Sequence, residues 1–122
     1  MPPLAGLRIL VVDDDAMVRF ILTTELEDAG GVVTEAPDAR AAITHLDDGQ
    51  AFDLLVTDIR MPGMDGWALA ERARASRPAL PVLYVTGWSE ESPRPVAGSE
   101  ILAKPFRPAQ LVDTAARLIG RP

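Results

Sequence analysis

Apolar and polar positions along this chain switch repeatedly between a continuous pattern and a helical one. Leu7–Val12 (LRILVV), Leu54–Thr57 (LLVT) and Pro81–Val85 (PVLYV) are short apolar runs bounded by turn residues or carboxylates. They predict strands buried on both faces. Val32–Glu35 and Ile101–Ala103 are briefer strand candidates. Between these runs the spacing lengthens. Ala16–Ala29 carries Val18, Ile21, Leu22, Glu25 and Leu26 at helical intervals, with Gly30 and Gly31 as a stop. Pro37 and Asp38 open a second helix that runs through Leu46 and closes near Gly49, and Trp67–Ser76 predicts a third. Pro108–Ile119 predicts a last helix, with Pro108 early in it and Gly120 just past its end.

Strands alternating with helices of this length predict an α/β fold, a doubly wound parallel sheet with helices on both faces, and one domain over residues 1–122. One segment breaks the rhythm. Trp88–Glu100 (WSEESPRPVAGSE) stands where the fourth helix of the alternation belongs, but it carries Pro93, Pro95 and Gly98. Two prolines one residue apart remove helix hydrogen bonds and clash with the preceding turn. A loop is expected there, or at most one helical turn around Ser89–Ser92, so this helix is short or missing.

Composition narrows the classes. The 122 residues are 48% hydrophobic and 25% charged, ordinary for a globular domain with a real core. The formal charge of −6, without a Lys/Arg cluster, argues against direct binding of nucleic acid or anionic lipid. Cysteine is absent, which removes disulfides, thiolate catalysis and Cys-ligated metals. The N-terminal MPPLAGLRILVVDDD has too short and interrupted an apolar run for a signal peptide, and no stretch approaches the ~20 apolar residues of a membrane span. A cytoplasmic protein is expected.

The chemistry lies at the ends of the strand candidates. The first is followed by Asp13, Asp14 and Asp15, the third by Asp58, the fourth by Thr86 and the fifth by Lys104. In a parallel sheet all of these ends share one edge, where open α/β sheets place their ligands. Two carboxylates ~4 Å apart repel by roughly 4 kcal/mol at an effective dielectric of about 20, so the acids call for a cation. Hard oxygen ligands with no nearby His or Cys point to Mg²⁺, which favours phosphate-bearing partners. Thr86 supplies a hydrogen-bond donor and Lys104 a positive charge, both suited to a phosphoryl group. A carboxylate in such a site can attack phosphorus and become an aspartyl phosphate.

VVDDD, VTDIRMPGMDGW, PVLYVTG and AKPF resemble, in order and spacing, the receiver domain of two-component response regulators, and the resemblance spans essentially the whole chain. It implies a flavodoxin-like five-stranded parallel sheet of order 2-1-3-4-5. It implies that Asp58 accepts the phosphoryl group as a 4-aspartylphosphate, and that Asp13, Asp14, Asp58 and the backbone carbonyl of Arg60 hold Mg²⁺. Thr86 and Lys104 then bind phosphoryl oxygens, and the Lys104–Pro105 bond is cis. The implied partners are a histidine kinase or histidine phosphotransfer protein upstream and a protein target downstream, with the chain a monomer or weak dimer. Three positions depart from the family's common pattern. Ile101 stands where many receivers carry a switching aromatic, the interval from Thr86 to Lys104 is short, and Gly87-Trp88 follows Thr86. VTGW resembles a receiver subgroup with a degenerate fourth helix, found alone or on hybrid histidine kinases.

The remaining residues have plainer readings. Asp15 is a helix cap, His45 a solvated surface residue, and Trp67 and Leu69 core or boundary residues of the third helix. Met17, Met61 and Met64 pack around the site, and Arg72, Arg74 and Arg77 form a solvated face. Trp88 stays between two readings, packing over the site entrance or contacting a partner. Two other functions compete with a phosphoacceptor. A small Mg²⁺-dependent phosphohydrolase would need an acid two residues after Asp58, where Arg60 stands. A phosphorylation-independent interaction module would not need the joint presence of Asp13, Asp14, Asp58, Thr86 and Lys104.

Overall fold

The computed structural model describes residues 1–87 and 93–120. Five strands, β1 (Arg8–Val12), β2 (Val32–Ala36), β3 (Leu54–Thr57), β4 (Val82–Thr86) and β5 (Glu100–Ala103), form one sheet of order β2-β1-β3-β4-β5. Every neighbouring pair is parallel. The helices are α1 (Ala16–Asp28), α2 (Ala39–Asp47), α3 (Gly66–Ser76) and α4 (Pro108–Leu118). The expected alternation and sheet order are present, with element ends displaced by one or two residues.

The sheet divides the core in two. On one face Leu10, Val12, Leu55, Val82 and Tyr84 pack with the buried residues of α2 and α3. On the other, Ile9, Val11, Leu54, Val56, Leu83 and Val85 pack with α1 and α4. The central strands are therefore apolar at consecutive positions, since both of their faces are covered.

Asparagine-like capping by aspartate starts the first three helices. Asp15 Oδ1 accepts from the Met17 and Val18 N–H groups at 2.9 and 3.3 Å, Asp38 Oδ1 from Ala41 at 2.8 Å, and Asp65 Oδ1 from Ala68 at 2.8 Å. Each satisfies donors that a helix leaves orphaned, typically worth about 1 kcal/mol. Helix α4 has no such cap and instead begins on Pro108, while Gln110 Oε1 accepts from the Arg107 N–H at 2.8 Å.

Between β4 and β5, residues 93–99 form no helix, as the prolines require. The turn expected around Ser89–Ser92 lies outside the described residues. Residues 93–99 nevertheless have defined contacts. Arg94 pairs with Asp65 at 3.3 Å and Glu71 at 3.8 Å, and Val96 packs against the α2–α3 side of the core.

Several side chains differ from their sequence readings. Ile21, spaced as a core residue, is exposed together with Met17 and Phe20, so α1 shows solvent an apolar strip near its start. His45 is half-buried. Arg74 and Arg77 are half-buried as well: Arg74 Nε donates to the Leu80 carbonyl at 2.6 Å and Arg77 Nη2 to the Leu46 carbonyl at 3.0 Å. Their stems lie along the protein while their heads close loop and helix-end carbonyls, which makes them structural.

Candidate functional site at the carboxyl edge of the sheet

Strand register brings the chemistry together. Val12 lies opposite Thr57 and Thr57 opposite Tyr84, while Thr86 lies opposite Ala103. The next residues, Asp13, Asp58 and Lys104, leave the sheet at the same edge. Backbone bonds hold them there: Asp58 N–H donates to the Val12 carbonyl at 3.0 Å, and Lys104 N–H to the Thr86 carbonyl at 2.8 Å.

Asp13, Asp14 and Asp58 each present a carboxylate oxygen within 4.8 Å of the others. Asp13 is fully buried, Asp58 is 8% exposed and Asp14 is exposed. Lys104 Nζ stands 3.4 Å from Asp13 Oδ2 and 3.7 Å from Asp58 Oδ2. Backbone donors set the orientation of both buried acids: Asp13 Oδ1 accepts from the Asp15 N–H at 2.9 Å, and Asp58 Oδ1 from the Ile59 N–H at 2.7 Å. Thr86 is buried at the end of β4, and Arg60 is exposed two residues beyond Asp58. Trp88 lies outside the described residues.

Burial pushes the Asp13 carboxyl above the ordinary aspartate range. The Asp15 N–H and Lys104 pull it back, while the Asp58 charge pushes the same way as burial. Lys104 Nζ lies within 4 Å of two of these three carboxylates, Asp13 and Asp58, and a single ammonium does not balance the charge of three ionised acids. A divalent cation with a preference for oxygen matches both that charge and the donor set, which contains no nitrogen or sulfur. The residues fit Mg²⁺.

Two glycines shape the loop after Asp58. Gly63 adopts φ +79°, a left-handed conformation that favours glycine. Gly66 N–H donates to the Ile59 carbonyl at 2.8 Å, and a Cβ at Gly66 would overlap the Asp58 carbonyl. The start of α3 thus presses directly beneath the Asp58 peptide. Thr57 Oγ1 donates to the same Asp58 carbonyl at 2.8 Å. The Lys104–Pro105 bond is cis.

Arg19 is the site neighbour that the sequence did not announce. Its Nη1 donates to the Asp13 carbonyl at 2.7 Å and its Nε to Glu35 Oε1 at 3.2 Å. The available signal was a cation one turn after the Asp15 cap, beside the buried positions of α1.

Comparison with known proteins agrees with this geometry. Residues 9–116 match the response regulator receiver domain model. The chain is 35% identical over 116 residues to the response regulator receiver protein CpdR of Brucella abortus, covering 92% of this chain and 96% of that protein. A crystal structure of a response regulator receiver protein from Sinorhizobium medicae superposes with a TM-score of 0.89 at 38% identity, covering 95% of this chain and 96% of the other. The response regulator TrrA of Thermotoga maritima, solved in complex with Mg²⁺–BeF, has a TM-score of 0.84 at 28% identity over 92% of this chain and 98% of that one. This chain therefore belongs to the response regulator receiver domain family, the signalling domains of two-component systems.

Proposed function

We propose that residues 1–122 are one receiver domain that takes a phosphoryl group from a phosphohistidine donor onto Asp58. The observation that carries this reading is the juxtaposition of Asp58 with Lys104 and two further carboxylates at one sheet edge. Mg²⁺ would be held by the carboxylates of Asp13, Asp14 and Asp58 and by the Arg60 carbonyl. When bound it offsets the charge of the acids and of the incoming phosphoryl oxygens. An Asp58 carboxylate oxygen attacks phosphorus, the phosphorus–nitrogen bond to the donor imidazole breaks, and its electron pair stays on the ring nitrogen. Lys104 turns from the carboxylate it now neighbours to a phosphoryl oxygen, and the Thr86 hydroxyl donates to another. Water later cleaves the bond between phosphorus and Asp58, releasing inorganic phosphate and restoring the carboxylate.

The apolar strip of Met17, Phe20 and Ile21 supports docking of a histidine kinase or histidine phosphotransfer protein, because it flanks the acidic cluster on α1. Residues 93–99 support membership of the subgroup that lacks a regular helix between the fourth and fifth strands. Output passes to a downstream protein target without direct nucleic-acid contact, from a cytoplasmic monomer or weak dimer. Among the described residues no helix is long and apolar enough to cross a membrane.

Incubation with acetyl phosphate and Mg²⁺ tests the assignment. Stoichiometric, hydroxylamine-sensitive labelling is expected in the wild-type chain and none in Asp58→Asn. Undiminished labelling in Asp58→Asn would place the acceptor elsewhere, and many turnovers per chain would favour a phosphohydrolase.

A further inference from the structure

We propose that Arg19 is a positioning residue for the acidic cluster. Its guanidinium holds the peptide that joins Asp13 to Asp14, and thereby sets where the Asp14 carboxylate stands when a divalent cation is held. This rests on the Mg²⁺ reading above.

Residue 13 is tied at every polar atom. Its N–H donates to the Ala36 carbonyl at 3.3 Å, its Oδ1 accepts from Asp15 at 2.9 Å, and its Oδ2 faces Lys104 at 3.4 Å. Its carbonyl lies past the end of β1, beyond the sheet ladder, and Arg19 Nη1 donates to it at 2.7 Å. Arg19 is in turn fixed by Glu35 at 3.2 Å, with its side chain only 19% exposed. The guanidinium is a planar fork, so two partners define its orientation as well as its place. Asp14 differs from its neighbours. It is exposed, so its carboxylate takes its direction from the backbone that carries it. Rotation of the Asp13–Asp14 peptide would swing that carboxylate out of the cluster, and the hydrogen bond from Arg19 opposes such rotation.

The charge on Arg19 acts in the opposite sense. A cation beside an acidic cluster repels Mg²⁺, so loss of charge alone would tighten metal binding. Loss of placement would loosen it. Groups that orient metal ligands from the second layer typically contribute about 10–100-fold in affinity. The direction of the change therefore separates the two effects.

Titration calorimetry with Mg²⁺ alone, on the full chain, decides the matter. Arg19→Met keeps the apolar stem and removes the donors; its Kd is expected to rise about tenfold or more. Arg19→Lys keeps the charge and removes the fork, and a smaller rise of roughly threefold is expected. In acetyl phosphate labelling the half-saturating Mg²⁺ concentration should rise by the same factors, while the plateau rate falls less. A purely structural Arg19 would lower the melting temperature in EDTA and leave the Mg²⁺ Kd where it was. Unchanged or tighter Mg²⁺ binding in Arg19→Met overturns the proposal. Should that variant not fold, wild-type affinity in Arg19→Lys overturns it equally. If the wild-type chain itself takes up no Mg²⁺, the reading of the acidic cluster falls and this inference falls with it; if only the variants match wild type, the role of Arg19 alone falls.

Discussion

The Tyr84 hydroxyl accepts a hydrogen bond from the Val96 N–H at 3.2 Å. Tyr84 is fully buried on β4, its ring 4.5 Å from that of Trp67, and it lies opposite Ile101 on β5. Ile101 itself is 48% exposed. A tyrosine from the fourth strand thus ties down residues 93–99, while the fifth strand offers no aromatic. Burial pushes the phenol above the ordinary tyrosine range, so the hydroxyl keeps its proton at neutral pH.

Tyr84→Phe removes only that oxygen. The Val96 N–H loses its partner, at a cost of about 1 kcal/mol. Faster amide exchange is expected in residues 93–99, with the strands protected as before. Hydrogen-exchange mass spectrometry checks this; unchanged exchange in residues 93–99 would show that Arg94 and the packing of Val96 hold the segment without Tyr84.

The raised pKa of Asp13 makes a signed prediction for stability. A carboxyl whose folded pKa lies above its unfolded value favours the fold in its protonated form. Its ionisation therefore costs stability as pH rises from the ordinary value of 3.8 through the folded pKa. In EDTA at pH 7, Asp13→Asn should therefore melt higher than wild type. The advantage should fade as pH falls below the carboxylate range. Asp14→Ala should likewise be no less stable in EDTA. Saturating Mg²⁺ should favour the wild-type chain over both variants, because ligand binding stabilises only the chains that bind. Melting curves over pH, with EDTA or Mg²⁺, test each sign.

Gly66 sets the floor under Asp58. A methyl group there has no space short of the Asp58 carbonyl and the Ile59 Cα, both of them backbone. Gly66→Ala is expected to destabilise by roughly 1–3 kcal/mol, as overpacking of a rigid contact does. It should also slow labelling by acetyl phosphate, because the Asp58 peptide moves. Wild-type labelling in a destabilised Gly66→Ala chain would uncouple the loop packing from the chemistry.

The strip on α1 separates donor docking from chemistry. Phe20 is 64% exposed and outside the acidic cluster. Phe20→Ala should slow transfer from a phosphohistidine protein about tenfold, the loss of one modest interface anchor. Labelling by the small donor acetyl phosphate should fall far less. Equal slowing with both donors would mean that Phe20 acts on the site itself.

Periodicity, aspartate caps and strand-end residues were enough to determine the α/β alternation, the parallel sheet and the convergence of Asp13, Asp14, Asp58 and Lys104. Each of these depends on local spacing plus one global rule, that parallel strands end together. That residues 93–99 form no helix was legible for the same reason, since Pro93 and Pro95 act on their own backbone. Long cations were not legible. Arg74 sits at a surface-like position of α3, Arg77 just past its end and Arg19 at a flank of α1, yet each finds a backbone carbonyl outside its own helix. A carbonyl belongs to every residue and leaves no mark in the sequence, so only packing decides which one a guanidinium meets. The exposure of Ile21 was hidden similarly: helical spacing gives a face, but the width of the sheet beneath decides how much of that face is covered. Tyr84 looked like one more strand residue, and only the fold placed its hydroxyl under Val96.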